Sequence, residues 1–284
     1  MDSTPSRVRE DTHISLQDGI VDELYITSKD SPYSTVIPQD WDYYTIMHAL
    51  FNGTLLAGNI NFYVENIGSL RLKRRKLGDL RWITLQDFKV LSAKDLNFTY
   101  IDKTPRSKAL YEYSVVPVIS NSEGSLYSSS ITTDFHGLCI CDNDSIFNAY
   151  LDIEVTQSRN KPVTVVSTIN RKYPYVISNG EANYNSGTVR ALFAKFTPDN
   201  CSWDFENANV FRDQLSDFLY NGNAKIIKHE DGRMWLAAVS SSTIDNSENG
   251  HEYKVSTAFE WTEIGDCDSE DDLSTGGFIK TEVV

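Results

Sequence analysis

Apolar residues at Ala208, Phe211, Leu215, Phe218 and Leu219 recur at three- and four-residue spacing, which places one apolar stripe along one face of a helix. Asn221-Gly222 follows directly, and either residue can take the left-handed conformation that ends a helix. Beyond it Ala224 and Ile226, then Met234, Leu236 and Ala238, alternate with other residues on either side of His229-Glu230-Asp231-Gly232, where Asp-Gly is a strong hairpin-turn signal. The stretch therefore predicts a helix near 205–220, a turn and a hairpin.

Elsewhere the pattern is one of short strands. Between Trp41 and Thr132 they are expected at Leu70 to Leu72, Arg81 to Leu85, Phe88 to Leu91, Asn97 to Ile101 and Leu110 to Ile119, with Gly53, Gly58, Gly68 and Gly78 between them. Regular short strands with such punctuation indicate a β-sandwich. From Phe135 onward, strands are expected at Cys139 to Cys141, through Tyr150 to Val155, and at Tyr253 to Ile264, with Ser240 to Gly250 a polar loop. Val163 to Ile169 is nearly continuous in apolar residues, as expected of a strand covered on both faces.

The expected fold is mainly β, with a sandwich over 41–132 and a second β barrel or sandwich domain over 133–284 that carries one α-helix across one end. Residues 1–40 have few apolar positions, chiefly Leu24-Tyr25-Ile26 and Tyr33 to Ile37 between Pro32 and Pro38. They read as an extended N-terminal arm that orders against a neighbouring subunit, or as a tail.

The 284 residues suffice for two cores, and an aromatic content of 12%, with 15 Tyr and 13 Phe, leans toward strands. A formal net charge of −14 argues against a nucleic-acid backbone binder and favours solubility. The polar N-terminus lacks a signal-peptide core, and no run approaches the roughly 20 apolar residues that span a bilayer, so neither a membrane nor an export route is expected. Cys139, Cys141, Cys201 and Cys267 are too few and too irregular for a disulfide scaffold and read as reduced thiols.

No catalytic pattern emerges: the chain has no Gly-x-Ser-x-Gly elbow, no phosphate-cradling glycine loop and no His-Glu-x-x-His helix. The expectation is a non-enzyme without cofactors. Cys139 and Cys141 with His136 would make an incomplete metal site and read more simply as small core residues. His48, His229 and His251 are isolated in the sequence and suggest no site.

Asp266, Asp268, Glu270, Asp271 and Asp272 supply hard oxygen ligands of the kind calcium takes, yet Asp271 stands where the usual loop needs Gly, so a solvated acidic tail is the plainer reading. Arg71, Lys73, Arg74, Arg75 and Lys76 form the one dense basic run. It reads either as a solvated hairpin end or as an assembly contact complementary to an acidic surface, with the C-terminal acidic run a candidate partner.

Two resemblances add to this. Ala109 to Val118, then Asn121-Ser122-Glu123-Gly124-Ser125 and a Ser-rich strand, resemble the last two strands of a fibronectin type III domain. That likeness implies a Tyr capping a corner and a Trp filling the core, positions matched here by Tyr111 or Tyr113 and by Trp82. Arg171 to Ile177, Asn183 to Phe193, and Phe218 to Trp235 with its Asp231-Gly232-Arg233 turn are similar to segments of tail-tip and baseplate proteins of tailed bacteriophages, of the distal-tail class.

The second resemblance implies a structural protein of the virion tail, assembled in the host bacterial cytoplasm. It implies a homo-oligomeric ring, six-fold by family analogy, with tail-tube, hub or fibre proteins as neighbours. The alternative is a carbohydrate-binding or receptor-binding module of the tail, supported by Trp41, Trp82, Trp203, Trp235 and Trp261 as platforms on which sugars stack.

Overall fold

In the strand Lys225–His229, alternate side chains face two different apolar clusters, and that double burial organises the molecule. The computed structural model describes the strands at 14–15, 23–27 and 45–50, then residues 67–119, 122–124, 127–178, 181–197, 202–248 and 254–280.

Four antiparallel strands form one sheet in the order β1 (Ile14–Ser15), β2 (Glu23–Thr27), β3 (Thr45–Leu50) and β6 (Phe98–Asp102). A second sheet runs β5 (Ile83–Lys89), β4 (Ser69–Lys76), β7 (Ala109–Ile119), with β8 (Ser122–Glu123) and β9 (Tyr127–Thr133) both on β7. The largest sheet has nine strands. Its path is β11 (Ile146–Ala149), β10 (Leu138–Cys141), β19 (Lys225–His229), β20 (Met234–Val239), β22 (Val255–Gly265), β16 (Tyr184–Leu192) and β12 (Leu151–Val155). β13 (Ser158–Asn160) adds to β16 and β21 (Asp245–Glu248) to β22. Two ribbons stand apart, β14 (Val163–Val166) with β15 (Tyr175–Ser178) and β17 (Lys195–Thr197) with β18 (Ser202–Asp204).

The period-two alternation decides which layer each side chain joins. Leu70, Leu72, Tyr111, Tyr113 and Val115 of the second sheet pack with Cys139, Cys141, Ile226, Met234 and Leu236 of the nine-stranded sheet. Their neighbours in sequence, Leu138, Ile140, Ile227, Trp235 and Ala237, turn to the opposite face. There they meet Leu215, Phe218 and Leu219 of helix α1 (Ala208–Leu219). The fold is thus a mainly β sandwich with a helix laid over one outer face rather than across an end. One apolar cluster crosses the boundary expected at 132/133. No helix among the described residues is long and apolar enough to cross a membrane.

Several local expectations are met. Helix α1 ends at Leu219, Gly222 takes φ +81°, and the β19–β20 hairpin turns through Gly232 at φ +95°. Others are corrected. The segments expected at Arg81 to Leu85 and Phe88 to Leu91 are one strand, β5, and the basic run, which does reach the β4–β5 hairpin turn, is not solvated there: it lies in β4 between β5 and β7, with only Lys76 of its cations exposed. Part of the expected polar loop is β21, an edge strand. The acidic run is not a solvated tail: Glu270–Thr275 is a second short helix, α2, and its Leu273 is buried in the inter-sheet core. Of the expected arm 1–40, only β1 and β2 belong to the described residues, and they pair with one another and, through β2, with β3.

Gly187 marks the tightest crossing in the large sheet. It pairs with Trp261, and a Cβ built on it would lie 2.0 Å from the carbonyl oxygen of Thr156, a backbone atom that cannot swing aside. Gly187→Ala is expected to cost about 1–3 kcal/mol, the range for overpacking a closed site. A urea midpoint equal to the parent's would show that the β12–β13 corner moves away freely.

Candidate functional site

β4 sends its cations to two sides. On the outer face Arg71 grips Asp87 with two parallel bonds, Nε to Oδ1 at 2.7 Å and Nη2 to Oδ2 at 2.8 Å, and donates a third from Nη1 to Glu123 at 2.8 Å. Lys73 Nζ donates to the same Glu123 at 2.6 Å, while Arg75 pairs with Glu112 and lies 4.5 Å over the Trp82 ring. The bond to Asp87 raises the Arg71 pKa against the opposing effect of burial. Trp82 is therefore half-buried beneath a guanidinium and not a core residue of the sandwich.

On the inner face Arg74 is 1% exposed and donates from Nη1 to Asp102 Oδ2 at 2.7 Å. Asp102 also accepts from the Tyr113 hydroxyl at 2.8 Å, from Thr104 N at 2.8 Å and from Thr104 Oγ1 at 2.7 Å. Burial opposes ionisation of Asp102, but the Arg74 charge and these hydrogen bonds outweigh it and hold the carboxyl below the usual range. Of the two candidate corner tyrosines, Tyr111 is the one whose hydroxyl accepts from a backbone N–H upstream, that of Arg106 at 3.1 Å.

The acidic run is equally engaged. Ser269 Oγ caps α2 by accepting from Asp272 N at 3.3 Å, Asp272 accepts from Asp266 N at 2.7 Å, and Glu270 accepts from Thr84 N of β5 at 3.2 Å. Glu270, Asp271 and Asp272 sit in the first turn, where the helix dipole favours negative charge. Asp268 pairs with Arg106, not with β4. The structure therefore does not bring the basic and acidic runs together as ion pairs. Arg74 is internal and unable to meet a partner, and among the ten residues singled out only Lys76 and Asp271 are exposed with no side-chain partner among the described residues.

The two thiols of β10 are fully buried, and among the described residues no group of three or more His, Cys, Asp or Glu is placed to hold a metal ion. Beside them, the turn after α1 is fastened by a second buried carboxylate. Asp142 accepts from Asp144 N at 2.9 Å, Ser145 N at 2.8 Å and Asn221 Nδ2 at 2.8 Å, with Lys225 Nζ 3.5 Å away. Burial pushes the Asp142 pKa up, and the Asn221 bond, the two backbone donors and Lys225 bring it below the usual range.

Of the described tryptophans, Trp235 and Trp261 are buried and Trp82 and Trp203 are half-buried. Trp235 and Trp261 lie in the core with ring centroids 4.6 Å apart and planes tilted by 35°, and Trp203 packs among Tyr150, Phe196 and Phe205. Trp41 lies outside the described residues.

The surface that sequence reasoning missed is the β14–β15 ribbon. Val163 to Ile169 was expected to be covered on both faces, but β14 pairs with β15 alone and all eight paired residues are exposed. Val165 and Val176 stand opposite one another at 58% and 66% exposure, with Ile177 on the other face at 51%. At the connecting end Arg171 lies 4.0 Å over the Tyr175 ring and Lys172 5.5 Å over Tyr173. A free two-stranded ribbon gains little stability by itself, so this one holds exposed apolar surface that its own pairing does not cover. The signal was in the sequence, since apolar residues filled both alternating sets of positions, but alternation does not reveal whether a face is covered.

No family model matches the chain, and no curated protein matches it. Among solved structures, a chain from the virion of a native gene transfer agent particle is similar to it at 13% identity, over 45% of this chain and 92% of that one, with a TM-score of 0.28.

Proposed function

We propose that the chain is a structural subunit of a tailed-phage virion, a component of a tail-tip or baseplate ring of the distal-tail type, which acts through contacts between subunits. The observation that carries this reading is the exposed ribbon 163–178. Its two apolar faces need a cover, and its outer edges offer unpaired backbone donors and acceptors to a further strand. A net charge of −14 keeps such a subunit soluble before assembly. Identical contacts repeated around an axis close into a ring, and six-fold closure follows by family analogy. Tail-tube, hub or fibre proteins are the neighbours this reading supplies, with assembly in the host cytoplasm and residence in the virion tail.

The test is light scattering on the intact protein beside the double variant Val176→Glu/Ile177→Glu, which places one charge on each face of the ribbon. The parent is expected as a discrete oligomer and the variant as a 32.1 kDa monomer with unchanged circular dichroism. A parent that stays monomeric at every concentration counts against the assembly reading.

A further inference from the structure

A second surface is built where the two layers of the sandwich part company. The turn between β4 and β5 and the segment around Asp268 enclose a cleft of about 370 Å³, within the size range of ligand sites. Arg74 and Tyr111 form its floor, Leu80 and Ile83 an apolar wall, and Lys76 and Arg81 its rim. The turn is fixed by Asp79 N donating to Lys76 O at 3.0 Å and by Gly78 at φ +96°, a conformation L side chains rarely adopt.

The charge of this cleft is unlike that of the chain. In a protein of net charge −14, the lining holds Arg74, Arg75, Lys76 and Arg81 against the carboxylates Asp79 and Asp268; Lys76 and Arg81 face solvent with no carboxylate partner among the described residues, and Asp268 opposite is already paired with Arg106. At the floor the Nε of Arg74 is buried and bonded to nothing, although Nη1 of the same guanidinium is fully engaged by Asp102 and Thr104. That donor is closed to solvent, so what the cleft offers a partner is the exposed pair Lys76 and Arg81. Apolar surface adjoins these cations: Leu80 is 93% exposed and Leu77, beside it in the turn, 52%.

We propose that this cleft receives an acidic, apolar-flanked peptide segment of a partner protein. One carboxylate sits between Lys76 and Arg81, while neighbouring aliphatic side chains cover Leu80 and Ile83. A free oxyanion would satisfy the cations but leave the leucines in water, and a neutral peptide would leave the cations unmatched. Charge complementarity of this kind selects the partner and sets the register of docking. The site shares no residue with the ribbon, so each proposal fails without the other.

The experiment pans a random-peptide display library on the intact protein and measures the recovered peptides, fluorescein-labelled, by anisotropy. Recovered peptides should carry Asp or Glu next to Leu, Ile or Phe. Binding should weaken about tenfold or more in Lys76→Glu/Arg81→Glu, since both side chains are exposed and their charge is reversed without disturbing the core. Arg159→Glu, on β13, should bind as the parent does. Peptides without acidic residues, or acidic peptides that bind the double variant equally well, would overturn the proposal. So would displacement by inorganic pyrophosphate at lower concentration than by the unlabelled peptide, which would assign the cleft to small oxyanions.

Discussion

Replacing Asp102 by Ala is expected to destabilise the protein by about 3–5 kcal/mol, the range for removing one member of a buried ion pair. The reason is what remains. Arg74 is 1% exposed and its charge would lose its one close counter-ion, while the Tyr113 hydroxyl and the Thr104 N–H would both lose their acceptor. The double variant Arg74→Met/Asp102→Leu removes the stranded charge and should recover part of the loss. It should still fall short of the parent by about 1–3 kcal/mol, because the Thr104 N–H and hydroxyl lose the carboxylate that accepted from both. Urea unfolding of the parent, the single variant and the double variant measures all three. A single variant within about 1 kcal/mol of the parent would mean that water reaches Arg74, as at exposed pairs.

Acidification should unfold the protein, with most of the loss below about pH 4, the ordinary carboxylate range. Asp102 and Asp142 are both held below that range in the folded state. A carboxylate whose pKa is lower folded than unfolded contributes its stability fully above the unfolded value. That contribution is lost as pH falls through the folded one, because the unfolded chain then takes up the proton first. Thermal unfolding followed from about pH 7 down to about pH 2 should therefore show a falling midpoint. Asp142→Asn should lower the midpoint at neutral pH by weakening the anchors on Asn221, Ser145 and Lys225, and should flatten the acid slope because Asn does not titrate. An identical slope in the variant would show that Asp142 titrates alike in the folded and unfolded chain.

The parts of the fold that were legible are those whose physics is local. Helix α1 and the β19–β20 hairpin follow from period, a left-handed Gly222 and an Asp-Gly turn, all within thirty-odd residues of chain. The mainly β class followed from strand spacing. What failed depended on distant partners. Arg71, Lys73, Arg74 and Arg75 look solvated in sequence because their carboxylates, Asp87, Glu123, Asp102 and Glu112, are brought beside them only by sheet pairing. Helix α2 carried a cap signal in Ser269 and Asp272, but a single buried residue, Leu273, gives no apolar period to read. β21, Asp-Asn-Ser-Glu, has no apolar alternation at all and is a strand because β22 offers it an edge. At the candidate sites, the basic run reads as one patch in sequence, whereas sheet pairing leaves Lys76 exposed and turns Arg74 inward. The ribbon was seen as apolar and misread as covered.

The double burial of β19 also governs the order in which the chain becomes a protein. Leu138 pairs with His229, and Cys141 with Ile226, so the layer that covers Tyr111 and Tyr113 gains β19 only about 90 positions after β10, and Leu273, Phe278 and Ile279 join it later still. A ribosome adding about 5–20 residues per second leaves the apolar face of the second sheet waiting on the order of 5–20 s for that layer. During that interval the nascent chain presents Leu70, Leu72 and Val115 to whatever holds growing polypeptides in the cell. The yield of folded protein is thus set in part by how well translation and chaperone capacity keep pace.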